Sequence, residues 1–266
     1  MKLPLVALAL CAGSLGAAHA QTTAKPEETE VYEPVPPVVT PGKTTDGPPS
    51  DAVVLFDGKN LDQWVSTDKK PAPANWTVAG GILTVKKDQG NIETKRSFGN
   101  YQLHLEWRIP ANISGTGQAR GNSGVFLAST GKGDLGYELQ IVDAYQNETY
   151  VNGMAGSLYK QAIPLANPAR KPSEWQTCDV VWTAPVFGAA GALVSPAYAT
   201  VFFNGVLVQD HKVLTGPTQY IGKPSYSQAH GPAPIKLQAH GDKSEPLSFR
   251  NIWVRELPAA KAVAGK

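Results

Sequence analysis

Three short stretches carry polar side chains at two-residue spacing: Arg120 and Asn122, Glu138 and Gln140, and Lys236, Gln238 and His240. Successive side chains of an extended chain point to opposite faces, so each set shares one face. A carboxylate, an imidazole and an ammonium can between them remove a proton, return one and steady a developing negative charge. The amides of Asn122, Gln140 and Gln238 add the directional hydrogen bonds that hold sugar hydroxyls. His104, Glu106 and Arg108 form another such set. A plain solvent face would favour Lys, Glu and Thr, whereas this amide-rich mixture points to a concave polyol-binding face. Gly121 and Gly241 beside it would let backbone approach a ligand. Blander roles stand next to these: Glu138 as an ion-pair partner of Arg120, and His240 as a cap at a sheet edge. The residues alone give no reaction.

The elements that must position them are strands. Period-two alternation predicts strands at 76–78, 82–85, 101–109, 123–127, 137–142, 176–182, 199–203, 206–208, 235–239 and 249–256. Val201 to Val208 contains Asn204-Gly205 between apolar runs, the signature of a hairpin with a type I′ turn. Leu103, Leu105 and Trp107, then Val125 and Leu127, Tyr137, Leu139 and Ile141, and Ile235 and Leu237 take the core parity, as does Asp143 at a strand end, where it would anchor the following loop. Trp64 also reads as core. Tyr159 and Trp175 are either packing residues or platforms for a sugar ring. No window shows a long 3.6-residue apolar stripe, so the fold class is all-β, a sandwich of two antiparallel sheets.

Of the 266 residues, not all belong to this sandwich. Met1-Lys2, the apolar run to Leu10 and Ala18-His19-Ala20 read as a signal peptide over 1–20, cut before Gln21. The apolar run is too short to span a bilayer, so no transmembrane segment is expected. The chain should be exported, to the periplasm or the extracellular space. Residues 21–50 are rich in Pro, Thr and Glu and read as a disordered leader. The β-sandwich domain is placed at 51–257 and a flexible tail at 258–266. The net charge of +2, without a Lys/Arg cluster, argues against nucleic acid as a partner. Once the signal and Cys11 are removed, Cys178 stands alone among core-type residues and reads as a small buried hydrophobe.

Several segments together resemble the 3-keto-disaccharide hydrolase family, also described as 3-keto-glucoside-1,2-lyase and 3-keto-2-hydroxy-glucal hydratase. They are Leu55-Phe56-Asp57-Gly58-Lys59-Asn60-Leu61, Gly121-Asn122-Ser123-Gly124-Val125-Phe126, Tyr137-Glu138-Leu139-Gln140, Gly156-Ser157-Leu158-Tyr159, Ile235-Lys236-Leu237-Gln238-Ala239-His240-Gly241 and Phe249-Arg250-Asn251-Ile252-Trp253. Each is weak alone; in order along the folded part they are specific. The resemblance implies a concanavalin-like jelly roll and an uncommon glycosidic cleavage. A sugar oxidised at C3 has an acidic C2–H; a base removes it, the C1 substituent leaves by β-elimination, and water adds to the glucal. On that reading Glu138 or His240 is the base and the other the acid. Lys236 or Arg120 stabilises the oxyanion, while Asn122, Gln140, Gln238 and Tyr159 hold the sugar, with Glu106 in reserve.

Two alternatives stand beside it: a conventional glycoside hydrolase on the same fold, and a non-catalytic carbohydrate-binding module. Retaining hydrolysis commonly places a second carboxylate two residues along the strand, where this sequence has Gln140. No cofactor is expected to be required. Asp134, Asp143 and Glu148 are candidate ligands for a structural Ca²⁺, without a full calcium loop.

Overall fold

The computed structural model describes residues 24–67 and 72–258. The signal segment and the tail beyond 258 lie outside the described residues. Among the described residues there are fifteen strands: β1 (Val53–Phe56), β2 (Trp64–Ser66), β3 (Thr77–Ala79), β4 (Ile82–Thr84), β5 (Ile92–Thr94), β6 (Tyr101–Arg108), β7 (Ser123–Ser129), β8 (Gly136–Ile141), β9 (Trp175–Thr183), β10 (Val186–Phe187), β11 (Leu193–Ser195), β12 (Tyr198–Phe203), β13 (Val206–Val213), β14 (Lys236–Leu237) and β15 (Ser248–Glu256). Each expected strand has a counterpart, that at 235–239 shortened to two residues. β1, β2, β5, β10 and β11 lie outside the expected spans. The helical segments are single 3-10 turns, and no described helix is long and apolar enough to cross a membrane.

The strands form an antiparallel jelly-roll sandwich. One large sheet runs β13-β12-β9-β6-β15-β4-β3 with β1 against β15, the facing sheet runs β2-β5-β14-β7-β8, and β10 and β11 pair as a separate two-stranded ribbon. Leu103, Leu105 and Trp107 of β6 and Val180 and Trp182 of β9 meet Val125, Leu127, Leu139 and Leu237 of the smaller sheet in one buried core. Trp107 stacks on Phe203 at 5.0 Å, and Tyr137 leans on Trp182 at 5.3 Å. Cys178 is a buried free thiol in this core, and burial pushes its pKa up. Asn204 and Gly205 take positive φ (51° and 77°), as the type I′ turn joining β12 to β13 requires.

Residues 24–38 form a separate short unit with one 3-10 turn. Residues 39–50, expected as leader, instead belong with the domain. Thr40 and Ser50 exchange hydrogen bonds of 2.9 Å, and the Asp46 carbonyl accepts from Asn251 Nδ2 (2.9 Å) and Trp253 Nε1 (3.0 Å). Apart from Ser50 Oγ, the segment makes these contacts with backbone groups, of which side-chain composition carried no sign.

The outer face of the larger sheet holds a charged lattice. His104 Nδ1 lies 2.8 Å from Asp179 Oδ1, its Nε2 lies 3.8 Å from Glu106 Oε1, and its ring stacks on Trp253 at 5.3 Å. Glu106 also accepts from Arg250 Nε (2.7 Å) and Asn251 Nδ2 (3.0 Å). Burial alone would lower the His104 pKa, but the hydrogen bond to Asp179 and the nearby negative charges of Asp179 and Glu106 outweigh it and raise it to about 9. Burial would raise that of Glu106, yet His104, Asn251 and Arg250 hold it down to about 2. A raised histidine pKa stabilises the fold fully below the ordinary value of 6.5, and that share is lost as pH rises through about 9. The melting-temperature gap between wild type and His104→Gln should therefore be widest below pH 6.5 and narrow towards pH 9 in a pH series. A gap independent of pH over that window would show His104 to be uncharged in the fold.

Candidate functional site

The outer face of the smaller sheet is ordered by strand register. Lys236 of β14 pairs with Phe126 of β7, which pairs with Glu138 of β8; in the next row Gly124 pairs with Gln140, and Gln238 N donates to Gly124 O at 3.0 Å. Antiparallel pairing puts these side chains on one face, opposite the core. A Cβ on Gly124 would lie 2.5 Å from Glu138 Oε1, so the glycine makes the room in which the carboxyl rests.

Above this face opens a hollow of about 140 Å³. Asn122, Glu138, Gln140, Gln238 and His240 line it. Tyr159, Asp134, Thr218 and Tyr220 complete the wall. Glu138 is buried, and that burial, helped by the Asp134 charge and opposed by Lys236, raises its pKa to about 8. Its backbone N–H donates to Thr218 Oγ1 at 3.0 Å.

The amides are aimed from behind. Gln118 Nε2 donates to Thr149 Oγ1 (2.8 Å) and Gly153 O (2.7 Å), which turns its Oε1 towards Gln140 Nε2 (2.8 Å) and Asn122 Nδ2 (3.3 Å). With its nitrogen committed, Gln140 presents Oε1 to the hollow. Gln140 Oε1 and Gln238 Oε1 are buried acceptors without a protein partner. Buried polar atoms of folded proteins are nearly always paired, so two orphans on one wall mark a place where a ligand supplies donors.

His240 Nδ1 lies 2.9 Å from Asp242 Oδ2. Burial would raise the Asp242 pKa, but Ser244, His240 and Lys87 hold it below the usual carboxylate range. Lys87 Nζ contacts Asp242 Oδ1 at 3.0 Å, and Ser244 donates to the same oxygen from N (2.8 Å) and Oγ. Asp242 N also donates to His240 Nδ1 at 3.2 Å, so Asp242 engages this nitrogen from both side chain and backbone and orients the ring.

Not every expected residue reaches the hollow. Lys236 Nζ donates to the carbonyls of Gly131 (2.8 Å), Gly133 (2.8 Å) and Leu135 (2.9 Å) and sits 4.9 Å from the Phe126 ring centre; it pins the β7–β8 loop. Arg120 Nε binds Asp143 Oδ2 at 2.6 Å, and Asp143 also accepts from Tyr145 N, so this pair anchors the loop after β8. Neither cation lines the hollow. Glu106 lies on the other sheet, within the His104 lattice. Asp134 accepts from Asn91 Nδ2 at 2.9 Å, and no group of three or more His, Cys, Asp or Glu gathers as a metal cage among the described residues. Sequence reasoning missed Asp242, which the His-x-Asp spacing could have flagged. It also missed Gln118, Thr218 and Tyr220, whose irregular segments carry no periodic signal.

The sequence pattern of the 3-keto-alpha-glucoside-1,2-lyase-like domain matches residues 51–255. A candidate glycosyl hydrolase from Parabacteroides distasonis ATCC 8503, with a crystal structure at 2.13 Å, is 49% identical; the match covers 93% of this chain and 100% of that one, with a TM-score of 0.80. Two further candidate glycosyl hydrolases from the same organism, 17% and 23% identical, share the fold over 78% and 77% of this chain and 94% and 99% of theirs, with TM-scores of 0.55 and 0.54. No curated protein matches the chain. A sugar-sized polar hollow on a jelly roll, built on residues inside the matched span, thus coincides with a named domain, and the chain belongs to the 3-keto-alpha-glucoside-1,2-lyase-like domain family of carbohydrate-acting proteins.

Proposed function

We propose that the protein cleaves 3-keto-glycosides by removing the C2 proton, expelling the C1 substituent and hydrating the resulting glucal. The observation that carries this reading is the buried Glu138 carboxyl flanked by the orphan oxygens of Gln140 and Gln238. A carboxylate with a pKa near 8 is a far stronger base than an exposed one, as abstraction of a carbon-bound proton needs. The amide oxygens accept from ring hydroxyls and fix the C2–H against it. Thr218, which accepts from Glu138 N, keeps a hydrogen to donate to the enolate oxygen. His240, oriented by Asp242, takes the proton of the water that adds at C1. Export from the cytoplasm is part of the same reading and rests on the N-terminal pattern alone.

Asp134 favours a second reading, since it supplies another carboxylate to the wall, as direct displacement of a glycoside requires. Elimination predicts turnover of a 3-keto-glucoside and none of its unoxidised parent; equal rates on both, followed by sugar release, would establish displacement instead. Glu138→Gln should abolish solvent deuterium exchange at C2 of the 3-keto substrate, and retained exchange would remove Glu138 from the base role. Because the base must be ionised, wild-type kcat/KM should rise with pH through about 8. The same raised pKa makes the folded state hold this proton longer than the unfolded chain, so stability falls as pH climbs from about 4.5 to about 8; Glu138→Gln should remove that fall in thermal melts. Gly124→Ala should disturb the carboxyl while leaving the core intact, cutting kcat by at least about tenfold at near-normal melting temperature.

A further inference from the structure

We propose that the Tyr159 hydroxyl protonates the departing C1 oxygen and is itself reprotonated from solvent through Tyr150. The inference rests on the elimination reading and supplies the acid which that reading leaves unassigned. Tyr159 lines the hollow and is 8% exposed; its hydroxyl oxygen lies 2.5 Å from that of Tyr150, which is 42% exposed. A phenol inside the hollow is thus wired to one at the surface.

Both rings are held rigidly. Tyr159 N donates to Glu138 O at 3.0 Å, so the acid rides on the strand that carries the base and their separation is set by backbone. The Tyr150 ring packs flat over Gly153, where a Cβ would collide with it. Lys160, in a positive-φ conformation (58°), places its ammonium 5.6 Å from the Tyr159 ring centre, 5.8 Å from that of Tyr150 and 4.1 Å from that of Tyr220, and donates to Tyr220 O at 2.6 Å. A side chain kept in an uncommon backbone region beside the hollow fits a site that constrains its neighbours.

His240 is the competing acid, but its Nδ1 is engaged by Asp242 and the elimination reading already gives the ring to the incoming water. Burial, the Tyr150 hydrogen bond and the Glu138 charge raise the Tyr159 pKa above that of an ordinary phenol, so it stays protonated until an alkoxide develops. The step balances. The C2 proton goes to Glu138, the C2–H pair becomes the C1=C2 bond, and the C1–O pair leaves on oxygen, which takes the Tyr159 proton. Tyr159 recovers a proton from Tyr150, and Tyr150 from water. When water adds at C1, Glu138 returns its proton to C2 and the spare water proton leaves through His240.

A phenolic acid is needed only when the leaving group is a poor one. The test therefore compares methyl and 4-nitrophenyl 3-keto-glucosides with wild type, Tyr159→Phe and Tyr150→Phe. Tyr159→Phe should lose about 10²- to 10⁴-fold in kcat/KM on the methyl substrate, remain close to wild type on the nitrophenyl one, and still exchange deuterium at C2. Tyr150→Phe should show a smaller loss with the same leaving-group dependence. Equal losses on both substrates, or no loss on the methyl one, would overturn the assignment. Wild type inert towards both 3-keto-glucosides would overturn the elimination reading, and this proposal with it; wild type active with an unselective Tyr159→Phe overturns this proposal alone.

Discussion

The site depends on one buried ammonium. Lys236 stands on the outer face of the smaller sheet, fully enclosed, and offers its three hydrogens to three carbonyls of the β7–β8 loop. A buried cation is tolerated only when hydrogen-bonded in this way. The arrangement closes one side of the hollow, brings Asp134 to its wall and packs the Phe126 ring beneath. It also tempers Glu138: burial and Asp134 push the carboxyl pKa up, while the Lys236 charge restrains it. The residue that looked from sequence like an oxyanion donor is the fastener of the pocket, acting on chemistry through the field it leaves behind.

Much of this was written in alternation. Glu138 and Gln140 share one face by the period of two in β8, and Gln238 and His240 join them where the chain runs on past the end of β14. The pattern could not say which of two sheets a polar face belonged to. His104 and Glu106 have the same character as Glu138 and Gln140, yet β6 sits in the larger sheet, where His104 binds Asp179 and Glu106 binds Arg250 and Asn251. The fate of a cation was equally hidden. Arg120 and Lys236 are consumed by a loop carboxylate and by loop carbonyls, partners set by irregular backbone. Thr218 and Tyr220 arrive on such a segment too, and Asp46 holds the sheet edge through a peptide oxygen.

The two outer faces show how one composition serves two ends. On the larger sheet His104, Glu106, Asp179 and Arg250 each have an opposite charge within reach, and the result is a pH-dependent brace. On the smaller sheet the buried amide oxygens of Gln140 and Gln238 stay unpaired beside one carboxyl, whereas the unpaired His104 Nε2 of the larger sheet has the Glu106 carboxylate 3.8 Å away. Native structures seldom leave such atoms orphaned without a use for them. The imbalance between the faces, more than any single residue, separates scaffold from site.

The Gln118 relay has a consequence for discrimination. Because Gln140 is turned by a partner outside the hollow, its carbonyl cannot swap places with its amino group to suit a guest. A sugar with a ring hydroxyl replaced by fluorine keeps its size and its lone pairs but has no hydrogen to give. In that position it would leave a desolvated oxygen facing another electron-rich atom, a mismatch that sites built around a hydroxyl reject far more strongly than a missing methylene. On the proposed reading, selectivity among isosteric sugars would be set by Gln118, an amide behind the wall of the hollow.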